Sequence, residues 1–383
     1  MRPRGPVDEP AIDLDDVRQR IDSIDDALLS LLAERADIVS RVARAKRARG
    51  LDTVDPEREN AVLQRALAKG AGRFPRDGVL AVFREIISAS VSMQATVSVA
   101  FLGPLGTFSH VAARTLFGAS ARYADQPSIE GVLEAVRHAR ATFGVVPLES
   151  SSAGTIPTTI DGLLEGGCVI RREVVIPVEH HLLSLAPSLA DLKRVSSKTE
   201  VLAQCRSWLA RTLPHVEQVQ APSSAAAVAA AAADASMAAI GSALAGELYR
   251  VPVLERRIHD QAGNQTRFVM IGTRRARRTG LDRTTLAFSV PHVEERGGLR
   301  RGLSALEAHG VDILRVESRP SRTEPWRYVH VIDVEGHVDD APLAAALAAL
   351  EARSERVRVL GSYPRYPSSE GRAGRQDDRD ADD

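Results

Sequence analysis

Residues 28–39 read LLSLLAERADIV, and the arginine among them decides how the N-terminal part is read. From Val17 the chain repeats apolar residues at steps of four and three: Val17, Ile21, Ile24, Leu28 and Leu31, then Ile38, Val42 and Ala45. That spacing lines one face of a helix. The place due between Leu31 and Ile38 holds Arg35. A cation in an apolar seam is expensive unless an anion neutralises it. An intramolecular carboxylate is one answer; a negatively charged ligand inside a helical bundle is the other. Lys46 favours the ligand. It lies within about 20° of Arg35 around the helix and about 16 Å along it, so both side chains can converge on a small dianion. The only other lysines are Lys69, Lys193 and Lys198, so a point-charge donor at this position reads as a specific choice.

The helical pattern runs from Leu14 to Arg49, with Gly50 as a stop signal. Such a helix would be about 54 Å long. One short domain cannot cover it, and the heptad-like spacing predicts pairing with the same helix of a second chain. Arg18 lies about 25 Å from Arg35 along the helix, so only an antiparallel partner could bring its own Arg18 to the same ligand. A second helix is predicted from Asp55-Pro56, with Asp as N-cap and Pro in the first turn. A third runs from Asp77 to Gln94.

The texture changes at TVSVAFLGPLGTFSH, residues 96–110. Strand–turn–helix units recur to Gly272: FGVVPLE, CVIRREVVIPVEHHLLSLA, RVSSKTEVLAQC, MAAIGSALAGELY and TRFVMIGT. Strands alternating with helices predict an α/β architecture. GPLGTFSHVAA lacks the GK[ST] ending and the GxGxxG spacing of a nucleotide loop. The alanine-rich SSAAAVAAAAADASMAAIG reads as a packed helix, and TRRARRTGLDR as a solvated basic hinge. From Thr284 the order is βαββαβ, the ferredoxin-like pattern. The polar tail 367–383 is expected to be disordered.

Composition narrows the function. The 383 residues carry 50 Lys+Arg and 50 Asp+Glu, so no global field favours nucleic acid or membrane. Cys168 and Cys205 form no CxxC, and no apolar run reaches membrane-spanning length. A cytoplasmic protein acting on small molecules is expected.

Three segments carry resemblances. VRQRIDSIDDALLSLLAERADIVSRVARAK…VDPERE resembles the all-helical chorismate mutase domain. The family's substrate positions fall on Arg18, Arg35, Lys46, Asp55, Arg58, Glu59, Ser90 and Gln94, each with the family's residue type. The resemblance implies that chorismate sits among Arg18 of one chain and Arg35 and Arg58 of the other. Lys46 and Gln94 would donate to the breaking ether oxygen, and Glu59 would hold the ring hydroxyl.

GPLGTFSHVAA, VVPLESSSAG, SSKTEVLAQC and NQTRFVMIG together resemble prephenate dehydratase, a fold of two α/β lobes around a cleft. Thr266 would meet the leaving hydroxyl, with Arg267, Glu149, Ser150, Ser197 and Gln204 as further site positions. A helix N-cap explains Ser197 equally well, and His110 reads as a packing residue. Two segments depart from the family: Glu149-Ser150 stands where Glu-Asn is usual, and Ser197-Lys198-Thr199-Glu200 where Ser-His-Pro-Gln is usual.

GGLRRGLSALEAHGVDILRVESRPSRTEPWRYVHVIDVEGH resembles the ACT regulatory domain. Effector positions fall on Gly297, Gly298, Leu299, Asp312, Glu317, Ser318, Arg319 and Pro320, with Asp312 where asparagine is commoner. Phenylalanine binding at a dimer interface and feedback inhibition are implied.

The expected architecture is multidomain. An all-α helical chorismate mutase domain spans 11–96 and a two-lobed α/β, periplasmic-binding-protein-like dehydratase domain spans 97–275. A ferredoxin-like α+β ACT domain spans 283–366. The implied enzyme converts chorismate to prephenate and prephenate to phenylpyruvate, without cofactor or metal, as a homodimer or higher homo-oligomer. The departures leave open a mutase fused to an arogenate dehydratase, a prephenate decarboxylase or a non-catalytic ligand sensor.

Overall fold

A computed structural model of the chain describes residues 13–49, 54–70, 72–290, 297–321 and 326–366. The expected stop at Gly50 and the expected disorder of 367–383 lie outside the described residues. No described helix is long and apolar enough to cross a membrane. The chain divides into two units, residues 1–54 with 89–96, and residues 55–88 with 97–383.

The first unit contains α1 (Leu14–Ala48) and the end of α3 (Arg76–Ser92). The Asp13 side chain caps α1 by accepting from the Asp15 N–H. Asp15 and Asp16 in the first turn, and Lys46 and Arg47 in the last, match the helix dipole. The covered stripe of α1 is Arg35, Ala36, Val39, Ala43 and Lys46. The N-terminal part of the same face is bare in the single chain: Ile21, Ile24, Leu28 and Leu31 are 52%, 60%, 53% and 61% exposed. Within one chain Arg35 and Lys46 are half-covered and the seam N-terminal to them is not.

In the second unit, α2 (Pro56–Lys69) opens at Asp55, whose carboxylate accepts from the Arg58 N–H at 3.1 Å. The division does not follow the sequence-based boundary at 96, because α2 and most of α3 are tied to the α/β part. Glu59 pairs with Arg172 at 3.3 Å, and Glu85 and Ser88 accept from the backbone N–H groups of Ala119 and Ser120.

The first α/β lobe is built from β1 (Ser98–Leu102), α4 (Phe108–Phe117), β2 (Arg122–Gln126), α5 (Ile129–Arg137), β3 (Phe143–Ser150), β4 (Gly154–Thr155), α6 (Pro157–Glu165) and β5 (Val169–Pro177). The chain then crosses to a second lobe: β6 (His181–Ser184), β7 (Arg194–Ser197), α7 (Thr199–Gln204), α8 (Arg206–Thr212), β8 (Glu217–Gln220), α9 (Ser224–Ala231), β9 (Met237–Gly241), α10 (Ala243–Tyr249) and β10 (Val253–Glu255). It returns with β11 (Gln265–Gly272) to complete the first sheet. The sheets run β2-β1-β3-β11-β5, with β4 on β3, and β10-β6-β9-β7-β8. Each has a parallel trio extended by antiparallel strands. The alanine-rich tract is not one helix. It divides into α9, capped by Ser223, and the fully buried strand β9.

The C-terminal part is β12 (Asp282–Ser289), α11 (Gly298–Glu307), β13 (Ile313–Pro320), β14 (Tyr328–Glu335), α12 (Ala341–Glu351) and β15 (Arg356–Pro364). Its antiparallel sheet runs β13-β14-β12-β15. This sheet shares a core with the first lobe: Ala287, Val331, Leu360 and Tyr363 pack with Leu148, Ile170 and Val269. Gly361 permits the approach, since a Cβ there would sit 2.4 Å from the Ile170 carbonyl oxygen. The basic segment before β12 is pinned rather than a free hinge. Ala276 is buried, Arg278 pairs with Asp340 at 2.5 Å, and Thr279 donates to Asp282.

Arg267 on β11 ties the two sheets together. Its Nε donates to Glu173 at 2.7 Å, Nη1 to Asp333 at 2.6 Å and Nη2 to the Tyr363 hydroxyl at 2.8 Å. Burial alone would raise the Asp333 pKa; the adjacent Arg267 charge and the Thr285 hydroxyl hold it below the ordinary carboxylate range. Removing one member of such a network strands the others in a dry interior. Arg267→Met is therefore expected to cost about 3–5 kcal/mol in urea unfolding of the second unit.

Candidate active sites

In an α/β sheet, ligands gather beyond the carboxyl ends of the parallel strands. Four of the quoted motifs begin there. GPLGTF follows β1, ESSSAG closes β3, SSKTE closes β7 and GSALAG follows β9. The two lobes meet at these ends. The Ser242 hydroxyl donates to the Gly106 carbonyl at 2.6 Å, and the Phe108 ring stands edge-on to His180 at 5.6 Å. Gly106 has φ +87°, and a Cβ there would lie 2.9 Å from that of Ala245, so only glycine fits this crossing.

Pairing of β3 with β11 assembles the first-lobe candidates. Thr266 faces Ser150 in register, and Arg267 faces Glu149. The Thr266 side chain is half-buried with no hydrogen bond among the described residues. Ser150 Oγ lies 3.1 Å from Ser152 Oγ. The Glu149 carboxylate sits between two guanidinium groups, Arg315 Nε at 3.3 Å from Oε1 and Arg267 Nη1 at 3.6 Å from Oε2. Period-two alternation separates the TRF residues: Arg267 turns to the side opposite Thr266. Its expected place among the site positions is corrected, because its N–H groups are spent on Glu173, Asp333 and Tyr363.

On the second lobe, Ser197 is fully buried and its hydroxyl donates to the Ile240 carbonyl at 2.7 Å. It is neither a substrate contact nor the helix cap, since Lys198 is the N-cap of α7. Gln204 lies at the end of α7, with Oε1 2.8 Å from His180 Nε2. His180 Nδ1 is buried with no partner among the described residues. A buried orphan N–H costs more than a buried orphan lone pair, which places the proton on Nε2 and makes Gln204 Oε1 the acceptor. The Gln204 NH2 group is then left to donate elsewhere. His180 went unnoticed in the sequence; the EHHLL run entering β6 was the available signal. His110 packs as expected, stacked on Phe101 at 4.7 Å, with Nδ1 accepting from the Gly106 N–H.

The mutase positions divide between the two units. In the first, Arg35 Nη1 donates to the Ser90 hydroxyl, and Gln94 Nε2 donates to the Ser90 carbonyl at 3.1 Å. Gln94 Oε1 is buried with no donor among the described residues. Lys46 shares the covered stripe with Arg35. Arg18 is exposed and pairs with Asp15. In the second unit Asp55 caps α2, Arg58 is exposed and Glu59 pairs with Arg172.

The effector positions split as well. Gly297, at φ +76°, opens α11; a Cβ on Gly298 would lie 2.3 Å from Val290 Cγ1; and Leu299 packs on the C-terminal core. Asp312 is exposed, and its carbonyl accepts from the Glu335 N–H. Ser318 Oγ meets His330 Nδ1 at 2.8 Å, and Pro320 pairs with Tyr328. Glu317 and Arg319 are corrected: their side chains turn to the first lobe, Glu317 to Thr155 and Arg319 to Asp161 at 3.1 Å.

Known proteins match this chain along most of its length. The chorismate mutase type II family model matches residues 17–95, and the prephenate dehydratase model residues 99–276. A bifunctional chorismate mutase/prephenate dehydratase of Aquifex aeolicus is 38% identical over 357 residues, covering 92% of this chain and 98% of that protein. The prephenate dehydratase of Arthrobacter aurescens, solved in complex with L-Phe, is 34% identical with TM-score 0.64, covering 70% of this chain and 90% of that one. GqqA, described as a novel type of quorum quenching acylase, is 31% identical with TM-score 0.64, covering 70% and 98%.

Two buried histidines set an acid limit. Burial pushes His180 down to about 4, with the neighbouring His259 and His181 charges acting the same way and the Gln204 hydrogen bond opposing. Burial and the Arg114 charge push His110 down to about 4, against Asp125. Between about pH 6.5 and 4 the unfolded chain binds these protons and the folded chain does not. Stability is therefore full above that window and falls as pH drops through it, by on the order of 3 kcal/mol per histidine. Urea midpoints at pH 7 and 4.5 check this, and His180→Gln should flatten the dependence.

Proposed function

The chain belongs to the family of bifunctional chorismate mutase/prephenate dehydratases and carries both activities, and we propose that the residues described above divide the work as follows. Chorismate, a dicarboxylate, is held by Arg35 of one chain and Arg18 of a second, and Lys46 and Gln94 stabilise the ether oxygen as its bond breaks. No covalent intermediate is needed, only a bound near-attack conformer and donors aimed at developing charge. The observation that carries this reading is the stripe of α1 on which Arg35 and Lys46 are half-covered while the seam N-terminal to them is exposed. The exposed seam Ile21, Ile24, Leu28 and Leu31 is then covered by α1 of a second copy, at the heptad spacing of helix pairs.

Prephenate leaves the mutase site as the substrate of the α/β lobes. There Thr266 meets the departing hydroxyl, with Glu149, Ser150 and Gln204 as the polar surroundings. Loss of hydroxyl and carbon dioxide makes the ring aromatic, which supplies the driving force. Arg267 and Ser197 act as scaffold. The βαββαβ part at 283–366 is a ferredoxin-like ACT domain that takes phenylalanine near Gly297 and Gly298. The complex of the Arthrobacter relative with L-Phe supports that assignment. Feedback inhibition follows where phenylalanine binds two states of the chain with different affinity.

A product assay starting from chorismate should yield phenylpyruvate; accumulation of prephenate alone would point to a sensor or to arogenate as substrate. Thr266→Ala is expected to lower dehydratase kcat by about 10²-fold or more while mutase kcat is unchanged. Arg35→Met should do the reverse, lowering mutase kcat/KM by about 10²–10³-fold. Light scattering should give a dimer or larger assembly, and Leu28→Glu should dissociate it.

A further inference from the structure

Gln204 stands where the chain passes between the two lobes. The passage out, from β5 to β6, runs through His180, and the passage back, from β10 to β11, runs through Asp260. Both hold Gln204. His180 Nε2 lies 2.8 Å from its side-chain Oε1, and the Asp260 N–H donates to its backbone carbonyl at 2.8 Å. From the first lobe Phe108, at the start of α4 just after the GPLGTF turn, sets its ring edge-on to His180 at 5.6 Å. Gln204 therefore sits at the base of the space between the lobes, the kind of place where two-lobed proteins hold small ligands.

An amide can offer a ligand either its oxygen or its NH2 group, and His180 decides which. His180 is 2% exposed, and burial keeps its ring neutral near neutral pH, so the ring carries a single N–H. Nδ1 is enclosed with no partner among the described residues. With the proton on Nε2, the enclosed atom is a lone pair, and Gln204 Oε1 accepts from the ring. The Gln204 NH2 group makes no hydrogen bond among the described residues and, unlike His180 Nδ1, is not enclosed. The carboxylates of prephenate only accept hydrogen bonds, so a free donor suits them and a free amide oxygen would repel them. We propose that His180 is a positioning residue of the dehydratase: it holds the Gln204 amide by its oxygen, so that Gln204 meets the anionic substrate as a hydrogen-bond donor.

The inference rests on Gln204 belonging to the dehydratase site, so the experiment separates the two. His180→Phe, His180→Gln, Gln204→Met and the double variant His180→Phe with Gln204→Met are made in the full chain. Prephenate turnover is measured for each, with the urea midpoint as the folding control. Phenylalanine keeps a ring and loses the donor, whereas glutamine offers an N–H at about the reach of Nε2. The expected result is a fall in dehydratase kcat/KM of about tenfold for His180→Phe and for Gln204→Met, with His180→Gln within about threefold of the parent chain. If His180 acts through Gln204, His180→Phe in the Gln204→Met background should cost less than about twofold more. NMR of the full chain with nitrogen-labelled histidine reads the ring directly: at neutral pH the His180 proton should reside on Nε2. A proton on Nδ1, losses that multiply in the double variant, full activity in His180→Phe, or a folded His180→Gln that falls as far as His180→Phe would overturn the proposal. Full dehydratase activity in Gln204→Met would instead overturn the placement of Gln204 itself. Should His180→Phe fail to fold, the position of the ring proton and the retention of activity in His180→Gln decide alone.

Discussion

A guanidinium with nowhere to go but between two sheets organises the second unit. Arg267 is buried, and a buried charge is tolerated only when its partners are buried with it. Those partners are Glu173 from the dehydratase sheet and Asp333 and Tyr363 from the C-terminal sheet. Pulling the sheets apart would strand at least three polar groups, so the C-terminal sheet is part of the dehydratase fold rather than an appendage on a linker. The shared apolar core and the close approach at Gly361 follow the same boundary.

That constraint bears on the chemistry because Thr266 and Arg267 are neighbours on one strand. Period two sends one side chain to the carboxyl-end cleft and the other to the buried network. In the function proposed above, the TRF motif does two jobs with adjacent residues, a hydroxyl for the substrate and a charge for the scaffold. On α1 the division runs along the axis instead: Arg35 and Lys46 fall on the same face as Ile21, Ile24, Leu28 and Leu31, and the end of the helix that carries the two cations is half-covered while the end that carries those aliphatic residues is exposed.

Much of this was legible in the residues. The helical period, the Asp55-Pro56 start and the strand–turn–helix recurrence each follow from local geometry, and the helices and strands formed where those signals lie. Thr266, Glu149 and Ser150 could be named from their motifs; register pairs Thr266 with Ser150 and sets Glu149 against Arg267. Less legible was the destination of a side chain. Ser197 looked like a cap or a substrate ligand and is a buried donor to Ile240. Glu317 and Arg319 were named by motif, while Arg315, on the same face, carried no motif to flag it. The basic stretch before β12 read as a solvated hinge because charge is local information and the burial of Ala276 is not.

By itself, then, the order of residues determined which elements form and which residues share a face, since backbone sterics and side-chain period act over a few residues. What only the tertiary structure decided is what stands opposite each face: Glu173 and Asp333 across from Arg267, Glu149 across from Arg315, His180 across from Gln204. Those pairings join residues distant in the chain, and only packing of the sheets and lobes brings them within hydrogen-bond reach.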